Sequence, residues 1–298
     1  MVVVEVGLLL VGFGYAAWAD FREREVTDRL WQVLGVLGVA LGAVVLAPGG
    51  GLALGLWFLV GALGLEHMFP WDDLLHDESG RTADLAEGVV YAIVVLTVAI
   101  AAFEYGVGPA QVPVPVLALL ATILFARGLF EAGVLYGGAD AKALMIAGTL
   151  VPIYTMIVVP LPGSLTGVLN VLPFAFNVLL DAALLSLAIP IAIGLRNLAR
   201  GEFRFPAGFT GYTMPVRELP DHYVWLENPM RSGNRASAQV ETSEEDRKER
   251  ARIARELSER GVERVWVTPQ IPFLVRIAAG TVTALLAANL ILDLLAVL

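Results

Sequence analysis

The sequence predicts an α-helical polytopic membrane protein of about eight transmembrane helices, N-terminus outside, with a small cytoplasmic α+β domain. Three observations carry that expectation. The first is composition: 57% of the 298 residues are hydrophobic, mean hydropathy is +0.72 and only 16% are charged, against roughly 25% charged in soluble domains. A packed core does not reduce the surface that must face water, so much of this chain has lipid as its solvent. The second is a series of long apolar stretches, and the third is the confinement of basic residues to alternate connections.

A helix needs roughly 20 apolar residues to cross the hydrocarbon. Stretches of that kind lie near 2–19, 29–47, 50–69, 87–104, 112–131, 141–161, 170–195 and 271–297. They break at charge runs or at Pro48-Gly49-Gly50, Gly108-Pro109 and Pro160 to Gly163, as proline and glycine clusters require. No basic residues precede the first stretch and no small-residue cleavage site follows it, so it reads as a retained helix. The chain therefore divides into transmembrane residues 1–195, soluble residues 196–270 and a C-terminal helix in 271–298.

Within the soluble part, Ser243 can cap a helix with Glu244, Glu245 and Asp246 in its first turn, where acidic groups suit the helix dipole. That helix should run to about Arg260 and stop at Gly261. Its thin apolar stripe, Ile253 and Leu257, fits a helix lying on a surface. Val262–Thr268 and Tyr223–Leu226 alternate like short strands.

Orientation follows from the 20 Lys and Arg residues. With the N-terminus outside, residues 20–29, 70–86, 132–140 and 196–270 become cytoplasmic. The basic residues fall in or beside these segments, and the loops near 48, 106 and 165 have none, as the positive-inside rule demands. The same arrangement puts Asp20, closing the first helix, and Asp140, opening the sixth, at one membrane face.

Several chemistries are excluded. Without cysteine there are no disulfides, thiolate metal sites or thiol nucleophiles. His67, His76 and His222 show no metal-ligand spacing, so no metal is expected. The net charge of −9 argues against nucleic acid as a partner. No histidine stands beside a plausible serine nucleophile.

Carboxylates remain. Asp20 opens the run Asp20-Phe-Arg-Glu-Arg-Glu-Val-Thr-Asp28. It is either a desolvated acid with a raised pKa or an ordinary juxtamembrane charge. Asp140 sits in Tyr136-Gly137-Gly138-Ala139-Asp140-Ala141-Lys142. The small residues there permit close backbone approach, although Asp140 could equally be a helix cap. Together, two carboxylates sharing one proton can activate water, one as base and the other polarising a carbonyl.

These residues resemble the type IV prepilin peptidase and archaeal preflagellin peptidase family, intramembrane aspartyl proteases of the GxGD type. Ala19-Asp20 with the following basic residues and Asp28 carries part of the likeness. Gly137-Gly138-Ala139-Asp140-Ala141-Lys142 resembles the motif Gly-x-Gly-Asp-x-Lys. Trp266-Val-Thr-Pro269-Gln-Ile-Pro272-Phe273 resembles the archaeal branch. The resemblance implies that Asp20 and Asp140 are catalytic and that Gly137, Gly138 and Lys142 are motif or substrate-side residues. It also implies cleavage of basic leaders from prepilin or preflagellin (archaellin) precursors at the cytoplasmic face, with no cofactor. Ala139 replaces the stricter motif's second glycine. The long interval from Asp20 to Asp140 fits a helix pair inserted within 50–104, and without the bacterial cysteine-rich loop only protease activity is expected.

Other readings compete. A proton-coupled secondary transporter would use Asp181, which lies beside Asn177 in the seventh stretch, although an interhelical hydrogen bond also accounts for both. A membrane scaffold would use 196–270 to hold a partner. Asp293, His67 and His76 are expected to face water. The acidic run from Asp72 to Glu87 would either attract basic leaders or form a plain acidic surface.

Overall fold

The structure is a computed structural model and describes residues 2–69, 80–108, 111–135, 137–154, 172–226 and 243–287. The expectations for Asp72–Glu78, His76, Tyr136, Pro160 to Gly163 and Asp293 fall outside the described residues. Among those described, ten α-helices occur: α1 (Val2–Glu23), α2 (Asp28–Leu46), α3 (Gly51–Glu66), α4 (Gly80–Tyr105), α5 (Val114–Glu131), α6 (Gly138–Leu150), α7 (Phe174–Ser186), α8 (Ala188–Ala199), α9 (Ser243–Glu259) and α10 (Phe273–Ala287). The described residues also form three strands, β1 (Tyr212–Pro215), β2 (Val224–Leu226) and β3 (Arg264–Pro269).

Among the described residues, five segments are long and apolar enough to cross a membrane: Val3–Glu23, Asp28–Gly49, Glu87–Tyr105, Val114–Glu131 and Phe174–Ala199. Gly51–Glu66 and Phe273–Leu286 are apolar but shorter. The sixth expected span, 141–161, begins in α6, which has only 13 residues. Ala141 and every residue from Ala143 to Leu150 are buried. A helix apolar all round can be buried in protein as readily as in lipid. Large side chains such as Val11, Val36 and Phe103 stand exposed on other helices, the condition expected of lipid-facing surface.

The chain forms two compact units, residues 1–184 with 273–298, and residues 185–272. In the first, α2 packs closely on α3. A Cβ at Gly42 would fall 2.1 Å from the Trp57 ring, so only glycine admits that indole, whose Nε1 donates to the Val39 carbonyl at 2.8 Å. Polar side chains inside these helices are satisfied locally: Thr122, Thr149 and Thr281 each donate to the carbonyl four residues back.

In the second unit β3 is the central strand, with β1 and β2 antiparallel on either side. Val267, Met214, Val224 and Leu219 form its small core. The expected soluble helix is α9, which adds buried Ala254 and half-buried Leu257 to that core. α8 joins this unit because Asn197 Nδ2 donates to the Gly208 and Gly211 carbonyls at 2.8 and 2.7 Å.

Candidate active site

Four helix ends in the first unit build the site: the last turn of α1 and the first turns of α2, α6 and α10. Asp20 lies one turn before the end of α1, behind the buried small residues Ala16 and Ala19. Its Oδ2 accepts a hydrogen bond from the Leu274 N–H at 3.1 Å. Leu274 is the second residue of α10, where the helix leaves backbone donors without an intrahelical partner. Asp20 thus serves as a carboxylate cap from a distant element, and its negative charge suits the positive end of α10. The guanidiniums of Arg24 and Arg276 also act on it.

Asp140 occupies the first turn of α6, ahead of the apolar stretch. Its backbone N–H donates to the Gly137 carbonyl at 3.0 Å, and the Gly137 N–H donates back to its carboxylate. This reciprocal pairing at a helix start holds the side chain in one orientation. Gly137 is extended, at φ −106° and ψ 129°, so any residue could adopt its backbone. Space is the constraint: a Cβ there would stand 3.1 Å from Asp140 Oδ2. Gly138 differs, since a Cβ at that position would find open space, with no atom within 4 Å.

Asp20 and Asp140 are near enough for the charge of one to act on the other. Burial pushes the Asp140 carboxyl up to about 7, and the Asp20 charge pushes in the same direction. Arg276 opposes that rise.

Lys142, further along the start of α6, donates from Nζ to Asp28 Oδ1 at 2.5 Å. Asp28 is the first residue of α2, so this pair ties the start of α6 to the start of α2. Sequence reasoning noted both residues but not that they meet. It also missed Leu274 and Arg276. Arg276 did leave a signal, as the single basic residue inside the last apolar stretch.

His67 corrects an expectation. Rather than facing water it is half-buried beside Tyr91, whose hydroxyl lies 3.4 Å from its Nε2. Glu66, His67 and Glu87 bring three potential ligand atoms within 4.8 Å of one another. Arg127 is paired with Glu87 there and lies over Tyr91 at 4.4 Å, so the cluster already contains its cation. Asp181 and Asn177 are fully buried in α7.

Residues 204–289 match the archaeal peptidase A24 C-terminus type II family. The preflagellin peptidase of Methanocaldococcus jannaschii is 30% identical over 163 residues, covering 52% of this chain and 64% of that protein. This chain spans 64% of the length of the curated relative it matches. The family match runs from the turn before β1 through α10 and so includes Leu274, whose N–H meets Asp20, and Arg276, which acts on both aspartates.

Proposed function

We propose that this protein is an intramembrane aspartyl endopeptidase acting at the cytoplasmic membrane face. Its substrates are prepilin- or preflagellin-like precursors, from which it removes a short basic leader. Asp20 and Asp140 are the catalytic pair. The observation that carries the reading is the convergence of two carboxylates from helix ends 120 positions apart in sequence (140 − 20), coupled through space. The likeness to a preflagellin peptidase supports the substrate class.

Like charges at close range cannot both ionise cheaply. Near neutral pH one carboxyl therefore keeps a proton while its partner is ionised. Burial and the Asp20 charge hold the Asp140 carboxyl up to about 7, so Asp140 is the acid and Asp20 the base. Asp20 takes a proton from water, whose oxygen bonds to the scissile carbonyl carbon as Asp140 gives its proton to the carbonyl oxygen. Collapse of that tetrahedral diol breaks the C–N bond. The proton held by Asp20 passes to the leaving nitrogen, and Asp140 regains one from the diol hydroxyl. No cofactor enters the cycle. The open space at Gly138 lets a substrate backbone approach Asp140, and Lys142 with Asp28 fixes the turn that carries it.

The test is product mapping. Purified protein is incubated with a preflagellin-like precursor, and the new N-terminus is read by mass spectrometry. A single cut between the basic leader and the hydrophobic helix is expected. An intact precursor, with the protein folded, would rule out this substrate class.

A further inference from the structure

The second unit contains a polar cavity of about 300 Å³ that the peptidase reading does not use. At roughly 30 Å³ per water this is the volume of about ten waters. Three guanidiniums line it, from Arg196, Arg200 and Arg264, against one carboxylate, Glu218, with Tyr212 and Thr213 between them. Arg264 is committed, reaching Glu202 at 3.4 Å and Thr213 Oγ1 at 2.8 Å. Arg196 lies over the Tyr212 ring at 3.8 Å, a contact that holds its guanidinium in place and leaves its N–H edge for an acceptor. Among the described residues neither Arg196 nor Arg200 pairs with a carboxylate.

Unneutralised guanidiniums converging on a partly enclosed cavity repel one another and are stabilised by an anion. Their planar forks match phosphate oxygens. The depth of the cavity narrows the source of that anion. Arg196 lies in the last turn of α8 and Arg200 directly follows it, at the end of the apolar stretch Phe174–Ala199. Leu187, Ile191, Leu195 and Leu198 there are 57, 57, 61 and 58% exposed. A helix with that surface sits in hydrocarbon, and arginines at its last turn reach the headgroup level.

We propose that this cavity binds the phosphate of an anionic membrane lipid, with Arg196 and Arg200 as its principal contacts. The site is independent of Asp20 and Asp140 and can be tested on inactive protein.

Full-length protein is reconstituted in vesicles of equal parts phosphatidylglycerol and phosphatidylcholine, extracted mildly, and its retained lipid counted by native mass spectrometry. Wild type is expected to keep phosphatidylglycerol preferentially. Arg196→Gln/Arg200→Gln should weaken that retention by roughly tenfold or more, since each lost contact is a charge-assisted hydrogen bond. Arg252→Gln/Arg255→Gln on α9 removes the same formal charge elsewhere and should leave retention unchanged. Equal retention by the Arg196/Arg200 variant overturns the proposal. So does complete displacement by millimolar inorganic phosphate, which would mark a free-phosphate site. If that variant does not fold, Glu218→Gln decides: removing the opposing carboxylate should raise retention, and no change would overturn the proposal.

Discussion

Gly137→Ala isolates the placement of one carboxylate from the stability of the fold. The glycine's extended backbone costs alanine nothing, and the neighbours of the added methyl are Oδ2, Cγ and Oδ1 of Asp140 at 3.1, 3.4 and 3.8 Å. The carboxylate must therefore give by a few tenths of an ångström, away from Asp20 or off its bond to the Gly137 N–H. Misplacing a reacting group by about 1 Å can cost roughly 100-fold in rate, so a shift of this size should lower kcat by roughly three- to tenfold. Melting temperature in detergent should stay the same, because no buried contact is lost. Gly138→Ala is the comparison. Its methyl meets no protein atom within 4 Å, so its effect should fall on KM, through the space left for substrate. The assay is leader cleavage at several precursor concentrations. A Gly137→Ala enzyme with wild-type kcat would refute the placement of Asp140 by this turn.

Four other outcomes are expected. The dyad needs its proton, and an upward-shifted Asp140 holds it until about pH 7; cleavage should therefore persist below that pH and fall as pH rises through it. Arg276→Gln removes the charge that opposes the shift and should move the alkaline limb upward, which a pH–rate profile would show. Lys142→Met and Asp28→Asn should each slow cleavage and be non-additive together; this half-exposed pair should couple by about 0.5–1 kcal/mol, read from a double-mutant cycle. Trp57→Phe loses a buried hydrogen bond and opens a gap beside Gly42, costing about 2–4 kcal/mol in a detergent unfolding assay.

Much of the site was legible because alternation across a membrane is a strong constraint. Counting apolar stretches and following the arginines put Asp20 and Asp140 at one end without any knowledge of packing. The partners of those residues were not legible. Lys142 and Asp28 are 114 positions apart, and Leu274 and Asp20 are 254; such contacts depend on how helices pack. Window hydropathy also cannot distinguish a helix solvated by lipid from one enclosed by protein. α6 is enclosed by protein from Ala143 to Leu150, and the end of the expected span 141–161 lies outside the described residues. The stretch 170–195 read as one helix, and the apolar segment Phe174–Ala199 is continuous apart from a one-residue interruption at Leu187, where Pro190 has no N–H for the Ser186 carbonyl. β1 was missed because it is four residues long and ends in Pro215; pairing with β3 defines it.

The central claim rests on two carboxylates acting as one unit, and the most direct test compares leader cleavage by wild type, Asp20→Asn and Asp140→Asn. Asparagine keeps an oxygen to accept from the Leu274 or Gly137 N–H, so both variants should fold and insert normally. Neither can share a proton, so each should lose cleavage to background, with the double variant no worse than either single one. Near wild-type cleavage by either properly inserted variant would contradict the account. Asp181 and a transport assay would then be the next place to look.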